Sequence, residues 1–145
     1  MSIETQVKLR FLSVDFPVVN FQSEKQLLEN QEINIDIEPK VFFPKDNKSH
    51  FKIIQEVNIS VDEVFNLFIV AIGSFELNDV DDEKMKAHFV NMNAPAIMFP
   101  YIRSFISTLT SNLGNVTGTL NIPPQFFKGE LKQISEEDII EVNKK

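Results

Sequence analysis

The stretch "NAPAIMFPYIRSFISTLTSNLG", Asn93 to Gly114, decides how the rest of the chain is read. Ile102, Phe105, Ile106, Leu109 and Leu113 recur at i, i+3, i+4, i+7 and i+11, the spacing of one apolar helix stripe. The opposite side is polar but uncharged: Ser104, Ser107, Thr108, Thr110 and Ser111 stand where a solvated helix carries Lys and Glu. From Ala87 to Phe127 the sole formal charge is Arg103, whereas the chain's average of 24% charged residues would place about ten there. Small hydroxyl residues bury at little cost when hydrogen-bonded, so this pattern predicts a helix covered on both sides. An obligate interface with a second copy of the chain is the preferred cover.

Outward from that helix, Pro95 and Pro100 each lack a backbone donor, so a kink or restart is expected between Asn93 and Tyr101. Asp79, Asp81, Asp82 and Glu83 crowd the expected helix start, where negative charge opposes the macrodipole, and Met85, Phe89 and Met92 follow at helical spacing. Gly114 is placed to end the helix. Pro123 and Pro124 suit the first turn of a shorter last helix bearing Phe126, Phe127, Leu131 and Ile134. Ser135 to Asp138 reads as a capping box, and residues from about 136 to 145 as a loose charged tail.

The first half reads as strands. Residues 6–11 alternate, then Leu12, Val14 and Phe16 continue on the other parity, which predicts a bulge; Pro17 limits the ladder, and residues 21–31 read as a connector. Ile33 to Glu38 alternates strictly and ends at Pro39, Phe51 to Val61 is a third strand, and Phe65 to Leu77 a fourth. The fourth is apolar on both faces, since Phe68, Val70 and Ile72 oppose Phe65, Leu67, Ile69 and Ala71, so both faces need a cover. The fold class expected is α+β: a four-stranded antiparallel sheet packed on a long kinked helix, with a shorter last helix, in one domain spanning 1–145.

At 145 residues the chain can bury about two thirds of its unfolded surface without a staple. It has no Cys, which excludes disulfides and thiolate sites and suits a reducing, cytoplasmic setting. "MSIETQVKLRF" has no continuous apolar core of a signal peptide, and "LFIVAI" is too short for membrane insertion. A net charge of −7 opposes nucleic acid and fits basic or mixed polypeptide partners.

No nucleophile, phosphate-loop or dinucleotide motif is present, so no enzyme, catalytic residue or cofactor is expected. His50 and His88 lack partners at ligand spacing, and the acids near 80 lack a calcium-loop pattern, so no metal is expected. Phe fills 14 positions against one Tyr and no Trp, giving apolar ring surface without polar handles. The pairs Phe42/Phe43 and Phe126/Phe127 therefore read either as core or as the lining of a peptide groove.

Taken in order, these residues resemble the SecB family of protein-export chaperones. The most specific part is "NAPAIMFPYIRSFISTLTSNLG", similar to the family's long helix, followed by "TLNIPPQFF", similar to its post-helix loop; "INIDIE", "FKIIQEVNISV" and "FNLFIVAIGSF" fall collinearly where family strands two to four belong. The resemblance implies a dimer of dimers with long helices sandwiched between sheets, and ATP-independent holding of unfolded or precursor polypeptides before delivery to the SecA motor. It implies a client groove that would take Phe21, Leu27, Leu28, Phe42, Phe43, Phe65, Phe126 and Phe127, and a helix-packing and oligomer set of Met98, Tyr101, Ile102, Phe105 and Leu109.

The family's SecA contact positions fall at Asp15, Val19, Leu67 and Ile69, so Asp15 and Leu67 are retained while two expected glutamates are Val19 and Ile69. The groove-loop tryptophan falls at Glu29, and the chain closes on "NKK" rather than an acidic tail. These departures favour client holding over SecA delivery, and admit a SecB-like chaperone dedicated to one client such as an antitoxin. A non-chaperone oligomeric adapter binding one folded partner is the alternative of another class.

Overall fold

A computed structural model describes residues 8–78, 80–125, 127 and 129–138. Five strands, β1 (Leu9–Ser23), β2 (Asn34–Phe42), β3 (His50–Val61), β4 (Phe65–Leu77) and β5 (Lys132–Gln133), form one sheet in the order β1-β4-β3-β2-β5. The first four pair antiparallel; β5 lies parallel to β2, with Lys40 beside Lys132 and Val41 beside Gln133. The sheet is thus mixed and five-stranded, not the four-stranded antiparallel sheet expected.

The fifth strand replaces the expected last helix. Residues 125, 127 and 129–131 carry no helix, and Gly129 takes φ +86°, a left-handed backbone that would break a helix there. Leu131 packs into the helix-facing core while Ile134 joins the cluster on the other face of the sheet, the alternation a strand imposes. That second cluster, with Val18, Ile54, Val70 and Ile72 buried beside Phe42 and Phe68, supplies part of the cover demanded by the doubly apolar β4. The helical turn starting after Ser135 is capped as expected: Asp138 accepts from the Ser135 amide and hydroxyl, which hold its exposed carboxyl below the usual carboxylate range.

β1 carries the expected bulge, since its pairing with β4 slips between Phe11 and Ser13, and slips again between Asp15 and Val18 around Pro17. It runs on through Ser23, so Phe21 is a strand residue opposite Leu67 rather than part of a connector. β2 likewise continues through Pro39 to Phe42. Pro39 is tolerated because β2 has only β3 beside it there, among the described residues, and a missing donor on the outer side breaks no ladder. The connection from β1 to β2 crosses the β3–β4 hairpin end, where the Glu24 and Lys25 amides donate to the Val64 carbonyl and Leu27 N–H donates to Val116 O at 3.0 Å.

The helical segment comprises α1 (Glu83–His88), a five-residue π-turn (Phe89–Asn93) and α2 (Ala94–Asn112). Asp82 caps it, accepting from Lys84 N–H at 2.9 Å. The restart expected between Asn93 and Tyr101 is instead this π-turn, in which Ala94 N–H donates back to Phe89 O. The shifted bonding absorbs Pro95, which falls in the first turn of α2 where its amide is not needed. Pro100 lies inside α2 on the exposed side with Ala96, where water can reach the carbonyl that loses its donor.

Met98, Ile102 and Ile106, each fully buried, press α2 onto Ile53, Leu67, Ile69 and Phe75. Gly73 permits the approach, because a Cβ there would meet Met98 Sδ at 2.9 Å and Phe75 Cε2 at 3.0 Å. Gly73→Val is therefore predicted to cost about 1–3 kcal/mol by overpacking. A urea-midpoint shift of this sign is the check, and an unchanged midpoint would mean that the helix does not sit so close. Gln55, fully buried on the same face, donates through Nε2 to Pro95 O at 3.2 Å and so ties β3 to the start of α2; its Oε1 has no partner among the described residues.

Candidate apolar binding surface

The neutral window is answered first by the chain itself. Arg103 donates through Nε to Ile122 O at 2.7 Å, and Ser107 Oγ donates to Leu120 O at 3.1 Å. Ser111 and Thr119 share a hydroxyl bond of 2.7 Å, while Thr110 Oγ1 donates to Ile106 O and accepts from the buried Leu120 N–H at 2.9 Å. The hydroxyl side of α2 is thus a ladder that seats residues 117–122, whose Leu120 and Ile122 close the core. One flank of this nearly uncharged helix is covered intramolecularly rather than by a sister subunit. Thr110→Val, which keeps the shape but orphans the Leu120 amide, is expected to cost about 1–3 kcal/mol. Hydrogen exchange at Leu120 should accelerate with it; unchanged protection would argue that the ladder carries no load.

The remaining flank is open within the chain. Met92, Ile97 and Tyr101 are exposed, Tyr101 at 51%, and Ser104 and Thr108 continue the stripe. Beside it Phe127, Gln125, Met92, Asn93, Ala96 and Ile97 line a cleft of about 400 Å³. Phe127 is held there edge-on to Phe99, ring centres 5.9 Å apart. The flexible Met92 side chain and a ring without polar groups suit varied apolar partners.

The expected groove residues do not converge on one furrow. Phe21 and Phe65 pack at 5.9 Å at the end of the sheet where Leu27 also packs, Phe65 itself being buried. Leu28, next along, is 67% exposed. At the other end Phe43 faces the helix side, 6.1 Å from Phe51, whereas Phe42 is on the opposite face with Ile54 and Ile134. Phe126 lies outside the described residues.

Of the helix set, Met98 and Ile102 are fully buried against the chain's own sheet, Phe105 stacks on Phe16 at 4.2 Å, Leu109 is half-buried, and Tyr101 alone is open. Sequence reasoning missed the ring series Phe43–Phe51–Phe75–Phe11–Tyr101, centres 4.9–6.1 Å apart, which crosses the sheet from the residue just after β2 to the exposed flank of α2. Its signal was the strand register, which only pairing could align.

Asp15 is exposed on β1, but Leu67 is fully buried on the helix-facing side, as is Ile69, so neither side chain is presented to a partner. Val19, opposite Ile69, is 40% exposed. Among the described residues no cluster of His, Asp or Glu could hold a metal, and no helix is long and apolar enough to cross a membrane. His50 instead faces Glu76, Nε2 to Oε2 3.6 Å, across the β3–β4 ladder.

The family described as "SecB: Preprotein translocase subunit SecB" matches residues 4–127. The protein MJ0357 of Methanocaldococcus jannaschii is 27% identical over 124 residues, covering 82% of this chain and 77% of that protein. The protein-export protein SecB of Orientia tsutsugamushi (strain Boryong) is 30% identical over 70 residues, 46% of this chain and 43% of that protein. Among solved structures, the Mycobacterium tuberculosis Rv1957 SecB-like chaperone, in complex with a ChAD peptide from the Rv1956 HigA1 antitoxin, superposes with a TM-score of 0.65 at 13% identity, covering 84% of this chain and 91% of that one. At that identity the likeness is one of fold.

Proposed function

The chain belongs to the SecB family, and on that premise we propose that it is an ATP-independent holdase for unfolded polypeptides that works as a cytoplasmic homo-oligomer. The observation that carries the proposal is the charge-free apolar flank of α2 with its adjoining cleft, Met92, Ile97 and Tyr101 beside Phe127. Large apolar side chains left open along one helix contribute about 25 cal/mol per Å² when covered, whatever the sequence of the partner. In this reading Ile97, Tyr101, Ser104 and Thr108 meet a sister subunit in a dimer of dimers. Unfolded clients lie along the aromatic patches at Phe21 with Leu27 and Leu28, at Phe42 and Phe43, and at Phe127.

The test is suppression of aggregation of several unrelated denatured proteins at stoichiometric amounts without ATP, with light scattering on the purified protein for its assembly. Protection of many substrates by an oligomer is expected. Protection of none or of one folded partner only would replace the holdase by an adapter.

A second reading is favoured by a specific observation. Val19 and Ile69 stand where the family's SecA-contact glutamates are expected, and Leu67 and Ile69 are buried. A chaperone dedicated to one client fits that loss, and the Mycobacterium tuberculosis SecB-like chaperone of similar fold was solved with an antitoxin peptide. Titration with the SecA C-terminal tail separates the two: binding supports general export, and no binding supports the dedicated chaperone.

A further inference from the structure

β5 is a short strand at the edge of the sheet. Lys132 and Gln133 are its only residues, Ile134 N–H donates to Val41 O at 2.9 Å, and Leu131 N–H is held by the Asn91 side chain, Oδ1 at 3.1 Å, reaching down from the π-turn. Leu131 and Ile134 then drop into the cores on opposite faces of the sheet. Beyond this short contact, Asn34 to Pro39 of β2 has no neighbour on its outer side among the described residues. An unpaired edge of that kind is a template for a further strand, and β5 demonstrates that it accepts one.

The two faces of this edge differ in chemistry. Ile35 and Ile37 are half-buried toward the helix side, packed on the main core. Asp36 and Glu38 point to the other side and are exposed. Glu38 lies directly opposite Glu56, whose charge is met by Lys40 at 3.2 Å, so Asp36 and Glu38 are left without an ion pair among the described residues. A strand added here places every second side chain beside Ile35 and Ile37 and the intervening ones beside two carboxylates.

We infer that the outer edge of β2 is a strand-addition site for extended polypeptide with alternating apolar and basic residues, and that residues 129–134 are an internal strap which such a polypeptide displaces. This rests on the holdase reading and deepens it. The strap covers Lys40 and Val41, so a client running the length of β2 must lift it, and the affinity observed is the intrinsic one reduced by the fraction of molecules with the strap open.

The chain has no cysteine, which makes a lock clean. Val41→Cys with Gln133→Cys crosslinks adjacent residues of the parallel pair, and the reduced form of the same protein controls for folding. The probe is a fluorescein-labelled peptide of alternating Val and Lys, about ten residues to span β2, with a Val and Glu counterpart, read by anisotropy. The reduced protein should bind the Val/Lys peptide, and oxidation should weaken binding at least about tenfold, reversed by dithiothreitol. Asn91→Ala, which frees the strap without touching the edge, should tighten binding by about two- to tenfold.

Equal affinity in the locked and reduced forms overturns the inference, as does a parent protein that prevents aggregation yet binds the Val/Glu peptide as well as the Val/Lys one. A parent that neither prevents aggregation nor binds either peptide overturns the holdase reading and the inference together.

Discussion

Ile102→Ala is expected to lower the unfolding free energy by about 3–4 kcal/mol. Ile102 is fully buried at the middle of α2, with Met98 and Ile106 one turn to either side, and all three belong to the cluster that α2 shares with β3 and β4. The seam is rigid on both sides. Gly73 leaves no slack beneath Met98, and Gln55 ties the strand to Pro95, so the cavity left by the lost atoms cannot collapse and its full cost is felt. Urea unfolding with an unchanged slope and a lowered midpoint is the measurement. A loss below about 1 kcal/mol would show that α2 is not clamped to the sheet in the way described.

The second large effect is on assembly. Ile97→Asp combined with Tyr101→Asp is expected to at least halve the mass seen by light scattering while leaving the circular dichroism of the chain unchanged. Both side chains are exposed within the chain, so charging them should leave the core intact, whereas a carboxylate forced into an apolar subunit contact is left buried and unpaired. Aggregation suppression should fall with the mass if the client surface spans subunits. An unchanged mass would place the subunit contact elsewhere, and a parent already running as a single chain would remove the quaternary part of the proposal outright.

Much of the fold was legible because it is written in short-range pattern. The β4 span, the bulge near Leu12, the acidic start of the helix at Asp82 and the capping box at Ser135 each depend on residues a few positions apart. The errors fall where distant partners decide. Phe21 and Pro39 look like a connector and a strand end, but long neighbours, β4 for one and β3 for the other, carry the ladder through them. Gln55, buried in the apolar face of β3, likewise takes its partner from far along the chain, donating to Pro95 O forty residues on.

The candidate surface divides the same way. That Phe42 and Phe43 cannot share a face follows from strand alternation, yet which face meets the helix and which meets Ile134 required the sheet order.

By itself the sequence determined that a long helix nearly free of charge would need covering on both sides, since period and composition are local properties that burial energy reads directly. What only the tertiary structure decided is who does the covering. Residues 117–122 take the hydroxyl flank through Arg103, Ser107, Thr110 and Ser111, and Ile97 and Tyr101 remain open. The strand at Lys132 and Gln133 belongs with these decisions: two residues carry no periodicity of their own, and their conformation comes from the edge of β2 that happens to lie beside them.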